Sequence, residues 1–151
     1  MGRIGLDSNV FLCVLLPEAS KTDPENVRGA RRIIASLGTE NRAVTSALVL
    51  AEVAWAFLRE GKKGPELEAA KSVMTSIEGL EIESVTPDLA WSGGKLRAKH
   101  YSKDRSISYQ DSIYLATSID GGAEVLYSTD SHLLGIEESI PVVEPKKFRG
   151  T

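Results

Sequence analysis

The chain has 151 residues, 42% of them hydrophobic and 26% charged, with a net charge of −3 at neutral pH. This is the composition of an ordinary globular domain with a sizeable core. It excludes disordered and fibrous classes, and it lacks the overall basic field of a general nucleic-acid binder, so any such role must come from a local patch. The lone Cys13 excludes an intramolecular disulfide. With no apolar run near the roughly 18 residues of a membrane span, and no basic-then-apolar leader before Ile4, the expected setting is a reducing cytoplasm without a membrane partner.

In chain order, short β-like runs alternate with longer helical patterns, which predicts a parallel sheet within one domain over residues 1–151. The apolar stretch Arg3-Ile4-Gly5-Leu6 reads as a strand that stops at Asp7. Asp7-Ser8-Asn9 then opens a helix ending near Leu16-Pro17. Asp23-Pro24-Glu25 starts a second helix with Val27, Ala30, Ile33, Ile34 and Leu37 on one face, and Gly38 stops it. Ala43-Val44-Thr45 is a short strand. Ser46 is expected to cap the next helix, which is apolar nearly all round except at Glu52, two turns in.

After the turn at Gly61 to Pro65, a helix is predicted from Glu66 to Ile77. The alternation in Glu81 to Val85 gives a strand, and a helix begins at Thr86-Pro87-Asp88 and reaches about His100. Ser108 caps a further helix closed by Gly121-Gly122. Glu124 to Ser128 is a strand running into Thr129-Asp130; a helical turn through Leu133-Leu134 and a strand at Pro141 to Val143 complete the set.

Four carboxylates stand out by position. Asp7 and Asp130 follow strands at their C-terminal ends, the edge of a parallel sheet where ligands bind. Glu52 and Asp111 lie on predominantly apolar helices with no cation within a turn. Buried ionised carboxylates cost several kcal/mol unless paired or bound to a cation. The milder reading makes Asp7 a cap, Asp111 a first-turn partner of the helix dipole and Glu52 a surface residue on a narrow polar stripe. The sharper one gathers all four around Mg²⁺ or Mn²⁺, which prefer carboxylate and water oxygens; the absence of a Cys/His array argues against zinc. Such a site suits phosphodiester hydrolysis by metal-activated water.

The ordered set Leu6-Asp7-Ser8-Asn9, Ser46 with Glu52, Ser108 with Asp111-Ser112, and Ser128-Thr129-Asp130 resembles the PIN-domain family. It is most similar to VapC-type ribonuclease toxins of toxin–antitoxin pairs. Successive acids are 45, 59 and 19 residues apart. The resemblance implies a three-layer α/β/α sandwich with a parallel sheet of about five strands in the order 3-2-1-4-5. It implies an endoribonuclease dependent on Mg²⁺ or Mn²⁺, acting on RNA (transfer RNA among the candidates), with a cognate antitoxin and a homodimer. Asp7, Glu52, Asp111 and Asp130 would then be both the catalytic and the metal-holding acids. Ser128 would position a water or Asp7, and Asn9 would support the site. A groove for an antitoxin helix is expected from the helices over residues 23–37 and 46–58.

One departure from that pattern is His132, where many relatives carry a further acid. The segment Lys95, Arg97, Lys99, Lys103, Arg105, opposed only by Asp104, is a candidate phosphate-binding patch as well as a plain solvated face. Tyr101 and Tyr109 flank it; either can stack on a base, though half-buried structural roles suit them as well. Trp55 and Trp91 are assigned to the core or to a subunit contact, and Cys13 to the core. Two alternatives stand beside the nuclease: a degenerate PIN domain that only binds RNA or protein, and a phosphatase with Asp7 as nucleophile. The latter requires a second Asp where Asn9 stands.

Overall fold

The computed structural model describes residues 2–150. Its strands are β1 (Gly2–Leu6), β2 (Asn41–Ser46), β3 (Leu80–Glu83), β4 (Leu126–Tyr127) and β5 (Val142–Val143). Its helices are α1 (Ser8–Leu15), α2 (Pro24–Ser36), α3 (Leu48–Arg59), α4 (Pro65–Ser76), α5 (Pro87–His100) and α6 (Tyr109–Asp120), with 3₁₀ turns at Pro17–Ala19 and Pro145–Lys147. The strands form one parallel sheet in the order β3-β2-β1-β4-β5, the order expected from the sequence.

Strand alternation explains the layers. Ile4 and Leu6 of β1 point into a core shared with Val10, Phe11, Ile33, Val49, Val53 and Met74, so α1 to α4 cover that face. Gly5 faces the other way, where α6 crosses β1 so closely that a Cβ would lie 2.1 Å from Ser118 Oγ. Only glycine permits that approach. Under α6 a second core joins Ile107, Leu115, Leu126, Leu133, Ile136 and Val142, and α5 backs α6 from outside. The result is the three-layer α/β/α sandwich.

Several boundaries move. Ser46 ends β2 and Ala47 takes the cap position of α3, although Ser46 Oγ still accepts the Leu48 N–H at 3.2 Å. Glu52 is consequently the fifth residue of α3, one turn in rather than two. The strand expected over residues 124–128 keeps only Leu126–Tyr127 in its ladder, and β3 starts one residue early, at Leu80, and stops at Glu83. The stretch after Asp130 is a set of turns, closed by Leu133 and Leu134 N–H groups on the Asp130 carbonyl, and not a helix. Gly38 and Gly122 take the left-handed conformation (φ 84° and 72°) just past their helices, as the stop signals predicted.

The tryptophans correct a packing expectation: Trp55 is 65% and Trp91 74% exposed, so neither belongs to the core. Both lie on the outer faces of helices whose inner faces are already filled by smaller residues, Val53, Ala56 and Phe57 in α3 and, against α6, Leu89 and Gly93 in α5. Cys13 is buried as expected. No helix among the described residues is long and apolar enough to cross a membrane.

Candidate active site

In this strand order β2 lies on one side of β1 and β4 on the other, so a crevice opens beyond the C-terminal ends of β1 and β4, where open parallel sheets bind ligands. Asp7 sits at its floor, 2% exposed. As N-cap of α1 it accepts the Ser8 N–H at 2.7 Å on Oδ1. Its Oδ2 accepts the Ser128 hydroxyl at 2.7 Å and the Asn9 side-chain amide at 3.1 Å. The cap reading of Asp7 thus holds in the geometry, and its second oxygen is turned to Ser128 and Asn9 across the crevice.

Ser128 is the hub of the β4 side. While donating to Asp7, its Oγ accepts the Asp130 N–H at 3.0 Å and lies 3.4 Å from the Asn9 amide. Asn9 Oδ1 in turn accepts the Thr129 N–H at 3.0 Å, tying the start of α1 to the end of β4. From the β2 side, α3 delivers Glu52, whose Oε2 accepts the Ser8 hydroxyl at 2.7 Å. Asp111 closes a capping box at the start of α6: Ser108 Oγ accepts its N–H at 3.1 Å and its Oδ2 accepts the Ser108 N–H at 3.2 Å.

The electrostatics follow from this crowding. Burial, reinforced by Asp111 and Glu52 and opposed by the Ser128 hydroxyl, pushes the Asp7 carboxyl up to about 7. Burial and the neighbouring Asp130 raise Asp111 above the usual carboxylate range. Glu52 Oε1 is buried with no hydrogen-bond partner. The buried Tyr114 hydroxyl faces Glu52 and Ser8 without a well-aligned hydrogen bond; burial first, and then the charges of Glu52 and Asp7, hold its phenol far above the ordinary range.

An all-oxygen, like-charged set with an orphaned carboxylate oxygen fits a hard divalent cation, which would relieve both the repulsion and the missing partner. Among the described residues no three or more acidic, His or Cys side chains stand close enough together to hold a metal ion as they are placed.

The remaining candidates divide. Lys95 and Lys103 are exposed. Lys99 pairs with Glu138 at 2.6 Å. Arg97 donates through Nε to the Ile107 carbonyl at 2.9 Å, and Arg105 Nη1 donates to the His132 and Leu134 carbonyls at 2.8 and 2.9 Å, holding the turn after Asp130. His132 turns its ring to Ser106, with Nε2 3.4 Å from Oγ, while its N–H caps Asp130 Oδ1 at 2.8 Å. Cys13 lies at 3.5 Å from Ser20 Oγ, and burial pushes its thiol up.

Ser8 and Tyr114 escaped the sequence reading. Ser8 was readable only as part of a capping sequence, and Tyr114, one turn beyond Asp111, only as a core aromatic. The expected groove is also relocated: α1 lies between α2 and α3. A cavity of about 390 Å³ runs between α1 and α3 and is lined by Leu12, Leu16, Ala56 and Arg59, with Asn9 and Thr129 at its inner end.

A parallel 3-2-1-4-5 sheet between helical layers, with acids gathered at its switch point, defines the class of α/β/α proteins with an acidic crevice. Within that class the chain belongs to the PIN domain family, whose model matches residues 4–138. No curated protein matches it. Solved structures do: VapC20 of Mycobacterium tuberculosis, a sarcin-ricin loop cleaving toxin, at 22% identity over 85% of this chain and 90% of that one, TM-score 0.66. VapBC2 of Rickettsia felis, bound to a promoter DNA fragment, aligns at 17% identity over 94% and 97%, TM-score 0.64. A toxin–antitoxin complex from Klebsiella pneumoniae aligns at 18% identity over 96% and 98%, TM-score 0.63. At these identities the likeness is one of fold.

Proposed function

We propose that the chain is an endoribonuclease dependent on Mg²⁺ or Mn²⁺ and the toxin of a toxin–antitoxin pair. The observation that carries the reading is the buried Asp7 among the half-buried acids Glu52, Asp111 and Asp130, with one Glu52 oxygen left without a hydrogen bond. One structural neighbour is described as cleaving the sarcin-ricin loop and others as toxin–antitoxin complexes, which supports RNA as substrate and an antitoxin as partner.

Asp7, Asp111 and Asp130 would hold the ion, with Glu52 holding it or orienting water beside it. The ion, when bound, supplies a lowered pKa for water and neutralises charge on the phosphate. The chain's own part is positioning. Ser8, Asn9 and Ser128 donate to Asp7 and fix its two oxygens, and Ser128 also orients the Asp130 backbone. Engaged on both oxygens by three donors, Asp7 is a poor nucleophile, which weighs against the phosphatase alternative. Lys95 and Lys103 are free to meet backbone phosphates, whereas Arg97, Lys99 and Arg105 serve the protein's own contacts first. The cavity between α1 and α3 and the exposed Trp55 and Leu58 suit an amphipathic antitoxin segment or a second copy of the chain.

Water as nucleophile gives 5′-phosphate and 3′-hydroxyl ends. The test is to incubate total and transfer RNA with Mn²⁺ or with a chelator and to analyse the ends. Metal-dependent cuts with those ends are expected; 2′,3′-cyclic phosphate ends, or cutting that ignores the chelator, would sink the mechanism.

A further inference from the structure

We propose that Tyr101 and Tyr109, pinned by Arg97, form a platform on which unpaired bases of the RNA stack beside the acidic crevice; this rests on the ribonuclease reading above. The Arg97 guanidinium lies over both rings, 4.8 Å from the Tyr101 centroid and 4.3 Å from that of Tyr109. It is itself fixed by its bond to the Ile107 carbonyl in the segment joining α5 to α6. The two rings are therefore ordered yet 51% and 62% exposed. A tyrosine that merely fills space is buried, and one that is merely solvated is not tethered. These are held on one face and open elsewhere, which is the preorganised state that lowers the entropy cost of stacking a flat ligand.

The platform's place names the ligand. Tyr109 is the first residue of α6 and Asp111 the third, so the platform lies at the same end of α6 as that acid. Lys95 and Lys103, exposed and without an ion-pair partner among the described residues, add positive charge near the two ends of the α5–loop segment that carries the rings, as a phosphate backbone requires. Every base offers a π-face, but a duplex hides it. The platform therefore selects RNA whose bases are splayed in loops or single strands, with little demand on their identity.

The experiment measures binding of a fluorescein-labelled single-stranded RNA of roughly ten nucleotides, with chelator present to prevent turnover, for the wild type, Tyr101→Ala, Tyr109→Ala and the two Tyr→Phe variants. Each Ala variant is expected to bind roughly tenfold more weakly and each Phe variant like the wild type. Replacing the bases by abasic sites should weaken the wild type more than either Ala variant, and leave a variant with both tyrosines replaced by Ala unchanged. Equal melting temperatures will show that the fold is kept, which both rings' exposure predicts.

Ala variants that bind and cut RNA as the wild type does would overturn the platform and leave the nuclease intact. Stacking-dependent binding without any cutting would support the platform and remove the nuclease. No binding of the probe by the wild type overturns the platform. Loss of antitoxin binding with RNA binding unchanged would reassign the rings to a protein partner and overturn it too.

Discussion

The two ends of the same sheet treat charge in opposite ways. At the N-terminal end, Arg3 reaches Glu81 with 2.7 Å and 3.2 Å hydrogen bonds, and Arg42 meets the same carboxylate at 3.2 Å, so β1, β2 and β3 are stapled by a mixed-sign trio. The Arg3 guanidinium holds Glu81 below the usual carboxylate range. At the C-terminal end, Asp7, Glu52, Asp111 and Asp130 gather without an Arg or Lys among their hydrogen-bond partners, and burial raises Asp7. Charges that the chain balances for itself serve the fold. A half-buried set of one sign left unbalanced costs stability, a cost that the proposed cation would relieve.

That contrast can be broken most severely by removing one acid. Asp111→Asn keeps an oxygen for the capping box, so the fold should survive, while the initial rate of RNA cleavage is expected to fall at least roughly a hundredfold, the several kcal/mol that charge stabilisation by a metal supplies. Cleavage within threefold of wild type would show that the acid end needs no such balance.

Proton balance gives the next largest effect. The folded pKa of Asp7, about 7, lies above its ordinary value of 3.8, so folding favours the protonated form. Its contribution is full below about 4 and is lost as pH rises through about 7. The metal-free wild type should therefore melt several degrees lower at pH 8 than at pH 5.5, Mn²⁺ should restore most of the difference by linkage, and Asp111→Asn should melt higher than wild type at pH 8 while gaining little from Mn²⁺. Thermal melting at the two pH values decides it; a wild type that is flat in pH and indifferent to millimolar Mn²⁺ would place both ends of the sheet in the same category.

Smaller effects sharpen the comparison. Ser8→Ala removes the hydrogen bond to Glu52 and is expected to cost about 1–3 kcal/mol in chemical denaturation, whereas Tyr114→Phe removes a hydroxyl that faces Glu52 and Ser8 without a well-aligned hydrogen bond and should cost less, under about 1 kcal/mol. At the opposite end, Arg42→Ala cuts one exposed arm of the trio and should shift the melting temperature by only about 1–2 °C.

Much of this architecture was legible because the signals were local. Strand runs, the Asp7 and Ser108 caps and the Gly38 and Gly121-Gly122 stops all lie within short windows and led to a parallel sheet with acids at its edge, while the strand order came from the family resemblance that the ordered acids carry. What the sequence hid was set by tertiary packing. Trp55 and Trp91 look like core residues because they are large and apolar, yet the inner faces of α3 and α5 were already filled. That α1 lies between α2 and α3 was hidden as well, because helix amphipathicity does not tell which helix lies between two others. The basic segment read as five equivalent cations, but whether each meets solvent or a carbonyl depends on where the loop after α5 folds back. Ser8 and Tyr114 could not be singled out, because a hydroxyl in a cap and a ring in a core become site residues only when Glu52 arrives from another helix.

Asp7 has one more consequence, through its role as the cap of α1. The carboxylate that the cluster repels is the same one that receives the Ser8 N–H, so the first turn of α1 cannot be ordered independently of the charge state of the crevice. Backbone amides there should open as one unit with the Asn9–Thr129 clasp, and their hydrogen exchange should be fast for a helix so deeply packed and slow on cation binding. The first turn of the first helix would then report, from the backbone alone, whether the crevice is filled.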